Sequence, residues 1–128
     1  MTSTIKKLSH KDLSDFWEIV TLAGSEGYNP NHKKPRIEWF KKLMDEWENF
    51  GYYGAFRENK LCGGMAICDY QLNLRSSIIN ISGVGMVHTD MLHKKEKICK
   101  DMMLYFIESN QIKNTNILFL SLYLIVFV

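Results

Sequence analysis

A cluster of basic side chains follows an apolar, glycine-containing stretch in the second half of the chain. Residues 82–89 read SGVGMVHT, and a short polar turn then leads to Lys94, Lys95 and Lys97. This pattern predicts a strand that turns into a helix beginning at Lys94. The first N–H groups of a helix have no partner within it and the helix dipole is positive there, so such a junction can bind an anion. Lysines oppose the dipole at this end, which favours a bound phosphate; a solvated basic turn is the alternative.

Two of the four histidines and all three cysteines are further candidates for chemistry. His88 is predicted within a strand and His93 within a turn, and neither has the carboxylate spacing of a metal site, so both are expected to be structural. Cys62, Cys68 and Cys99 form no CxxC pair. Buried, reduced thiols are therefore expected, with Cys99 on the core side of a helix, and no metal site is predicted.

Length and composition limit the class of protein. The 128 residues are 46% hydrophobic and 23% charged, which is typical of one soluble globular domain. The net charge of +2 is too small to indicate a nucleic-acid partner by itself. The N-terminus lacks the apolar segment of a signal peptide, and the apolar C-terminal residues 117–128 are too few to span a bilayer as a helix. These features predict a cytoplasmic protein without a membrane partner.

The first half of the chain predicts one strand and two helices. The strand is Thr4–Leu8, and Ser9 is the predicted N-cap of a first helix that ends near Gly24. After a turn-rich segment, Pro35 is the predicted first residue of the second helix. An aromatic stripe on these helices is predicted to lie in the core, and it consists of Phe16, Trp17, Phe40 and Trp47.

In the second half, the spacing of apolar residues changes to that of strands. The predicted strands are Tyr52–Arg57, Leu61–Tyr70, Ile78–Thr89 and a last strand from Ile117. Glu58-Asn59 predicts a tight hairpin turn, and the third helix is predicted from Lys94 to about Ser109. The last strand follows a strand–helix connection, so it should lie parallel to the strand before that helix. The order β-α-α-β-β-β-α-β predicts an α/β (α+β) fold, with a mixed sheet flanked by helices and a ligand at its parallel step.

The strand–helix junction and the element order resemble the GNAT superfamily of N-acetyltransferases, and most closely its Eis-type (enhanced intracellular survival) branch. The motif of that branch, V-x-V-x-P-x-H-R-R-x-G-[VIL]-[AGL], aligns without a gap with residues 87–99, VHTDMLHKKEKIC. Gly83 and Gly85 match the glycine-rich lead-in to the motif, and a weaker similarity covers the whole chain. The resemblance implies a GNAT-like sheet that binds acetyl-CoA where the fourth strand separates from the fifth.

The resemblance also implies which residues would bind acetyl-CoA as a cosubstrate. The backbone of Val87, His88 and Thr89 would pair with the pantetheine arm. Backbone N–H groups would hold the pyrophosphate, and these belong to Lys94, Lys95, Glu96, Lys97, Ile98 and Cys99. A primary amine, on a small molecule or a peptide, would attack the acetyl group directly. No catalytic side chain is assigned.

Two departures from the family pattern bear on these expectations. Lys97 stands where the family has a glycine, which allows close backbone approach to phosphate, so the affinity or the shape of the loop is expected to differ. GNAT domains continue beyond the fifth strand into a further helix and two strands, which usually carry the general acid, whereas this chain stops at Val128. We therefore expect residues 1–128 to form a single, partial acetyltransferase-like domain, truncated after its fifth strand; inactivity of the truncated chain is one alternative.

Several carboxylates could attract a cationic amine on the acceptor side of such a site. Asp69 and Tyr70, at the end of a predicted strand, are the polar pair expected to face the acceptor, and Glu26 is a further candidate. A last group of carboxylates is better explained as a solvated helix face, and it consists of Asp45, Glu46 and Glu48.

Two other functions are compatible with the sequence. The first is a non-catalytic remnant or interaction module, which would form homo-oligomers by pairing its apolar last strand with another chain. The second is a phosphate or nucleic-acid binder that uses Lys94, Lys95, Lys97 and Lys100. Steep salt dependence of binding would mark the second.

Overall fold

One five-stranded sheet forms the centre of the protein in the computed structural model, which describes residues 2–23 and 28–113 together with the backbone of residues 116–119. Its strands, in both chain and sheet order, are β1 Thr4–Lys7, β2 Phe50–Arg57, β3 Lys60–Leu74, β4 Ser77–Thr89 and β5 Asn116–Phe119. The first four pair antiparallel, and β5 pairs parallel to β4. The predicted element order and the mixed sheet with one parallel step are therefore confirmed.

Three helices flank the sheet. They are α1 Leu13–Ala23, α2 Lys33–Glu46 and α3 Ile98–Lys113. Because successive side chains of a strand point to opposite faces, the sheet has two apolar surfaces. On one of them, Phe16 of α1 and Phe40 of α2 share a buried cluster with Met86 of β4. On the other, Met102 of α3 packs with Met65 of β3. None of the described helices is long and apolar enough to cross a membrane.

The two helices of the first half begin differently from each other. Ser9 is the N-cap of a 3-10 turn at His10–Asp12 that leads into α1, rather than of α1 itself; its N–H and hydroxyl groups donate to Asp12 Oδ2 at 2.9 and 3.1 Å, so Asp12 takes its predicted part in the cap. The predicted start of α2 at Pro35 is wrong, because a 3-10 turn at Pro30–His32 leads into a helix that begins at Lys33. Pro35 is then the third helical residue, where its missing N–H costs no intrahelical hydrogen bond.

The aromatic stripe is only partly in the core. Phe16, Trp17 and Phe40 are buried, as predicted. Trp47 is 55% exposed, so its assignment to the core is wrong. The helix ends at Glu46, and Trp47 follows with an extended backbone (φ −97°, ψ 118°), so it does not continue the apolar face of α2.

Both hairpins of the antiparallel sheet turn on two residues with positive φ. The values are 52° and 63° at Glu58 and Asn59, and 50° and 69° at Arg75 and Ser76. Turns of this type match the twist of the flanking strands, and the predicted turn at Glu58-Asn59 is confirmed. The apolar alternation at Leu72 and Leu74 and the turn that the sequence predicts at Arg75–Ser77 are also confirmed, because β3 stays paired with β4 as far as that turn.

The third helix begins and ends four residues later than predicted. It runs over Ile98–Lys113 rather than from Lys94 to Ser109. Lys95 and Lys97 have φ values of 66° and 64°, which a right-handed helix cannot contain. The basic residues therefore precede the helix instead of forming its first turn. The last strand begins at Asn116, and the predicted burial of its side chains on both faces lies outside the described residues.

Candidate functional site

A β-bulge interrupts β4 close to its C-terminal end. The pairs Gly64–His88 and Ala66–Gly85 leave one residue of β3 opposite two residues of β4, Met86 and Val87. Met86 has a φ of 54°, which is rare for a residue other than glycine. Bulges bend a strand and leave backbone groups without a ladder partner. Because the carbonyl of Met86 is bonded by the His88 ring, a molecule lying along β4 would meet available backbone groups from Val87 onward.

The edge of β4 beyond the bulge is also open within the described residues. The described part of β5 pairs with β4 only over Ile81–Val84, so no described strand pairs with this edge at Val87, His88 or Thr89. On their other side, His88 and Thr89 pair with Gly64 and Gly63 of β3. An extended chain can add to such an edge by backbone hydrogen bonds, as peptide ligands do. The geometry is compatible with the predicted pairing between the backbone of residues 87–89 and an extended ligand.

The side chain of His88 supports the bulge rather than facing a ligand. Its Nδ1 lies 2.6 Å from the carbonyl oxygen of Met86, which can only accept, so Nδ1 carries the proton. The ring packs edge-on against Phe16, and Nε2 is buried without a partner among the described residues. Burial lowers the pKa of His88 to about 4 although the bond to Met86 opposes the shift, so the ring is neutral at pH 7. The structure agrees with the predicted structural role.

The segment after β4 forms a loop that ends at the start of α3. Lys94 is extended, Lys95 and Lys97 are left-handed, and the carbonyl of Lys97 accepts the first helical bond of α3 from Asp101 at 3.0 Å. The N–H groups of Lys97, Ile98 and Cys99 donate to no acceptor in the described part of the chain. This is the arrangement of donors that binds phosphate at a helix N-terminus.

Two predictions about the residues expected to hold the pyrophosphate need correction. The N–H of Glu96 donates to the carbonyl of His93 at 3.3 Å, so it is occupied within the loop. The side chain of Cys99 is exposed rather than on the core side, because it is Ile98 that points into the core. Of the other cysteines, Cys62 is buried as predicted and Cys68 is only partly buried. Within the described ranges, no three metal-ligating side chains cluster.

Lys97, which aligns with a glycine of the motif in the sequence analysis, has a left-handed backbone. Its φ of 64° is one that glycine adopts without steric cost. The sequence predicts an altered loop or weaker affinity from the lysine at this position. The structure keeps the left-handed turn and leaves the N–H of Lys97 without a described acceptor.

The candidate acceptor residues do not come together. Asp69 and Tyr70 are consecutive in β3 and face opposite sides of the sheet, so the prediction that they face the acceptor as a pair is wrong. Asp69 lies on the α3 side, where it accepts from the hydroxyl of Ser82 and from Lys113 Nζ. On the outer surface, Asp45 contacts His10. Glu46 is exposed at the end of α2, as a solvated helix face predicts, whereas Glu48 is exposed in the turn after the helix. Glu26 lies outside the described residues.

A cavity of about 500 Å³ opens on the other face, between α2 and the sheet. Its described lining is mainly apolar and aromatic, and it consists of Arg36, Trp39, Leu43, Trp47, Phe50, Ala66, Cys68, Tyr70, Gly83 and Gly85. Gly85 directly precedes the bulge at Met86, so the cavity reaches the bulge, next to the edge of β4 that pairs with no described strand. The sequence analysis missed it. The available signal was the pair of glycines, which leave this surface of β4 without side chains.

The model of the acetyltransferase (GNAT) domain matches residues 4–123. The chain belongs to the GNAT acetyltransferase family. The predicted family and N-acetyltransferase class are thereby confirmed. No curated protein matches the chain significantly.

Solved structures of acetyltransferases share the GNAT fold with this chain. Glucosamine-6-phosphate N-acetyltransferase from Arabidopsis thaliana superposes with a TM-score of 0.70 at 12% identity, over 93% of this chain and 82% of that one. An aminoglycoside acetyltransferase from an uncultured soil metagenomic sample gives 0.67 at 22% identity, over 92% and 76%. A predicted acetyltransferase from Clostridium acetobutylicum, solved with acetyl-CoA, gives 0.64 at 17% identity, over 92% and 80%. At these identities the similarity establishes the fold.

Proposed function

We propose that this chain binds acetyl-CoA along the open edge of β4 and transfers the acetyl group to a primary amine. The observation that carries the proposal is the continuity of two features. The edge of β4 at Val87–Thr89 pairs with no described strand, and a few residues later the loop presents N–H groups, from Lys97 to Cys99, that have no described acceptor. A ligand with an extended arm and a diphosphate matches these two features in this order.

Each part of the site has a separate task in this proposal. The backbone of Val87, His88 and Thr89 pairs with the pantetheine arm. The N–H groups at the start of α3 hold the pyrophosphate, because charge-assisted hydrogen bonds to phosphate oxygens are strong. Lys94, Lys95 and Lys97 add positive charge around it. The occupied N–H of Glu96 takes no part.

The acceptor amine enters from the cavity between α2 and β4. Its nitrogen forms an amide bond with the acetyl group while the thioester C–S bond breaks, and the CoA thiolate that leaves takes up the proton that the amine loses to become the thiol. Holding both reactants in one site supplies much of the rate enhancement in such a direct transfer. His88 is excluded as the base by the burial of its free nitrogen. The proposal assigns no catalytic side chain.

Finer assignments follow the sequence motif. The match of residues 87–99 supports the Eis-type branch, and the left-handed Lys97 fits the glycine of that motif. We also propose a small-molecule or peptide amine as acceptor, action as one domain, and a cytoplasmic location. Truncation after the fifth strand and oligomer formation through the last strand concern residues outside the described ranges and stay predictions. The nucleic-acid alternative through Lys94, Lys95, Lys97 and Lys100 also stays a prediction.

Calorimetric titration of the purified chain with acetyl-CoA tests the proposal. We expect saturable binding that weakens at least tenfold in the double variant Lys94→Ala/Lys95→Ala, since losing one charged contact costs about 1.5–3 kcal/mol. The matched control is Lys41→Ala/Lys42→Ala, which removes two adjacent lysines from α2 and should leave the affinity unchanged. A folded wild-type chain that does not bind acetyl-CoA would overturn the proposal. Release of the CoA thiol with a panel of primary amines then tests transfer.

A further inference from the structure

Arg57, the last residue of β2, reaches the loop that precedes α3. Its guanidinium donates to the Glu96 carboxylate at 3.1 Å and to the main-chain carbonyl of the same residue. It also lies 3.6 Å from Asp101 Oδ2 in the first turn of α3, and its Nε donates to Ser3 Oγ at 3.1 Å. The side chain is only 10% exposed. One buried cation therefore joins β2, the loop and the helix.

The partners of Arg57 are themselves fixed by further bonds. The N–H of Ser3 donates to Asp101 Oδ2 at 2.9 Å, and His93 Nδ1 lies 2.7 Å from Glu96 Oε2. Burial alone would raise the pKa of Asp101, but the hydrogen bonds from Ser3 and the charge of Arg57 together lower it. Asp101 therefore stays ionised. These fixed partners hold the guanidinium group of Arg57 in one orientation.

The bond from Arg57 to the Glu96 carbonyl decides which way the next peptide N–H points. No peptide bond in the described chain is cis, and in a trans peptide the C=O and N–H groups point in opposite directions. Since the Glu96 carbonyl faces Arg57, the N–H of Lys97 on the same peptide faces away from it. That N–H has no acceptor among the described residues. It is the first of the free donors at the start of α3.

We infer that Arg57 is a positioning residue for the pyrophosphate of CoA. In this role it acts through the Glu96–Lys97 peptide, which it fixes so that the Lys97 N–H faces the phosphate. This inference rests on the proposed function. It predicts different effects on two parts of CoA, because binding of the diphosphate depends on the loop whereas binding of the pantetheine arm depends on the backbone of β4.

The test compares Arg57→Lys with the wild-type chain. Lysine keeps the charge but cannot bond the carbonyl and both carboxylates with one planar fork. We expect the affinity for CoA to fall about tenfold or more, while the affinity for acetyl-pantetheine, which lacks the diphosphate, changes less than twofold. Arg75→Lys, in the distant turn between β3 and β4, is the matched control and should change neither. An equal loss for both ligands would mean a general structural role and would overturn the inference, as would unchanged CoA affinity.

A second readout needs no ligand. The residual dipolar coupling of the Lys97 N–H in the free chain should change in Arg57→Lys and stay constant in Arg75→Lys. An unchanged coupling would overturn the inference whether or not the wild-type chain binds CoA. Failure of the wild-type chain to bind CoA would overturn the proposed function but not this inference. If Arg57→Lys does not fold, Asp101→Asn removes one anchor and should lower CoA affinity two- to fivefold with a smaller change in coupling. No change in either would also overturn the inference.

Discussion

His88 and Met86 are joined by a hydrogen bond of 2.6 Å from Nδ1 of the imidazole to the main-chain carbonyl two residues earlier. Met86 is the left-handed residue of the β4 bulge, and its carbonyl is one of the groups that a bulge removes from the ladder. The buried ring satisfies this carbonyl from within the same strand. Nδ1 must carry the proton in order to donate, and a second proton on Nε2 would put a charge on a buried atom that has no described partner. The bulge therefore favours the neutral form of His88.

Lowering the pH should therefore destabilise the protein through His88. Its pKa is lowered to about 4 in the folded state, so between about pH 6.5 and pH 4 the unfolded chain takes up a proton that the folded chain does not. Stability is fully retained above this window and falls as the pH decreases through it, by about 2 kcal/mol between pH 7 and pH 5. Urea unfolding at the two pH values measures the loss. His88→Gln can still donate to the carbonyl but cannot titrate, and an identical pH dependence in this variant would contradict the prediction.

Two glycines of the sheet should respond oppositely to alanine. A Cβ on Gly64 would lie 2.6 Å from the Phe16 ring and 2.9 Å from Cε1 of His88, both fixed in the core. A Cβ on Gly51 would meet mainly the end of the flexible Lys7 side chain, at 2.7 Å. We expect Gly64→Ala to lower the free energy of unfolding by about 1–3 kcal/mol through overpacking, and Gly51→Ala to be neutral or stabilising. Equal effects in chemical denaturation would show that the contact between Phe16 and His88 adapts.

The fold was predictable where the pattern along the chain determines it. Glu58-Asn59 signals its hairpin locally, and the apolar spacing of the helices places Phe16 and Phe40 in the core. The β4 bulge is different, because it arises from the pairing of His88 and Gly85 with residues of β3 more than 15 positions away. A period-two pattern contains no sign of the extra residue at Met86.

The shape of the cofactor loop was unpredictable for a similar reason. Lys94, Lys95 and Lys97 are residues that form helices well, and no glycine or proline marks the later start of α3. The loop is held by Arg57, which lies 39 positions from Glu96. The proposed anion site could be suggested from the sequence, because such a site needs only basic side chains next to a helix start.

The two tryptophans Trp17 and Trp47 should separate stability from acceptor binding. Trp17 is 1% exposed, and its replacement by alanine should cost about 3–5 kcal/mol. Trp47 is 55% exposed and lines the cavity beside β4. We expect Trp47→Ala to cost less than about 1 kcal/mol, to raise the KM for the amine acceptor, and to leave the Kd for acetyl-CoA unchanged. Denaturation curves, steady-state kinetics and calorimetry check these three values. An unchanged KM would place the acceptor elsewhere.

Lys97→Gly should stabilise the protein, although glycine usually does the opposite. A residue with a side chain at φ 64° carries a steric cost of about 1–2 kcal/mol, and glycine removes it. Glycine also adds backbone entropy to the unfolded chain, which costs about 0.5–1 kcal/mol. We therefore expect a net gain in the free energy of unfolding, within the range of about 0–1.5 kcal/mol that the difference of these two effects spans.

Lys94→Gly is the matched control for that variant, because it removes the same charge three positions earlier in the same loop. Lys94 has an ordinary extended backbone (φ −58°, ψ 144°), so glycine relieves no strain there and only the entropic loss remains. The control should lower the free energy of unfolding by about 0.5–1 kcal/mol. Opposite signs for the two variants in urea titrations would establish that Lys97 holds the left-handed turn at a cost. A loss in both would mean that the side chain of Lys97 stabilises the loop by more than its backbone strain.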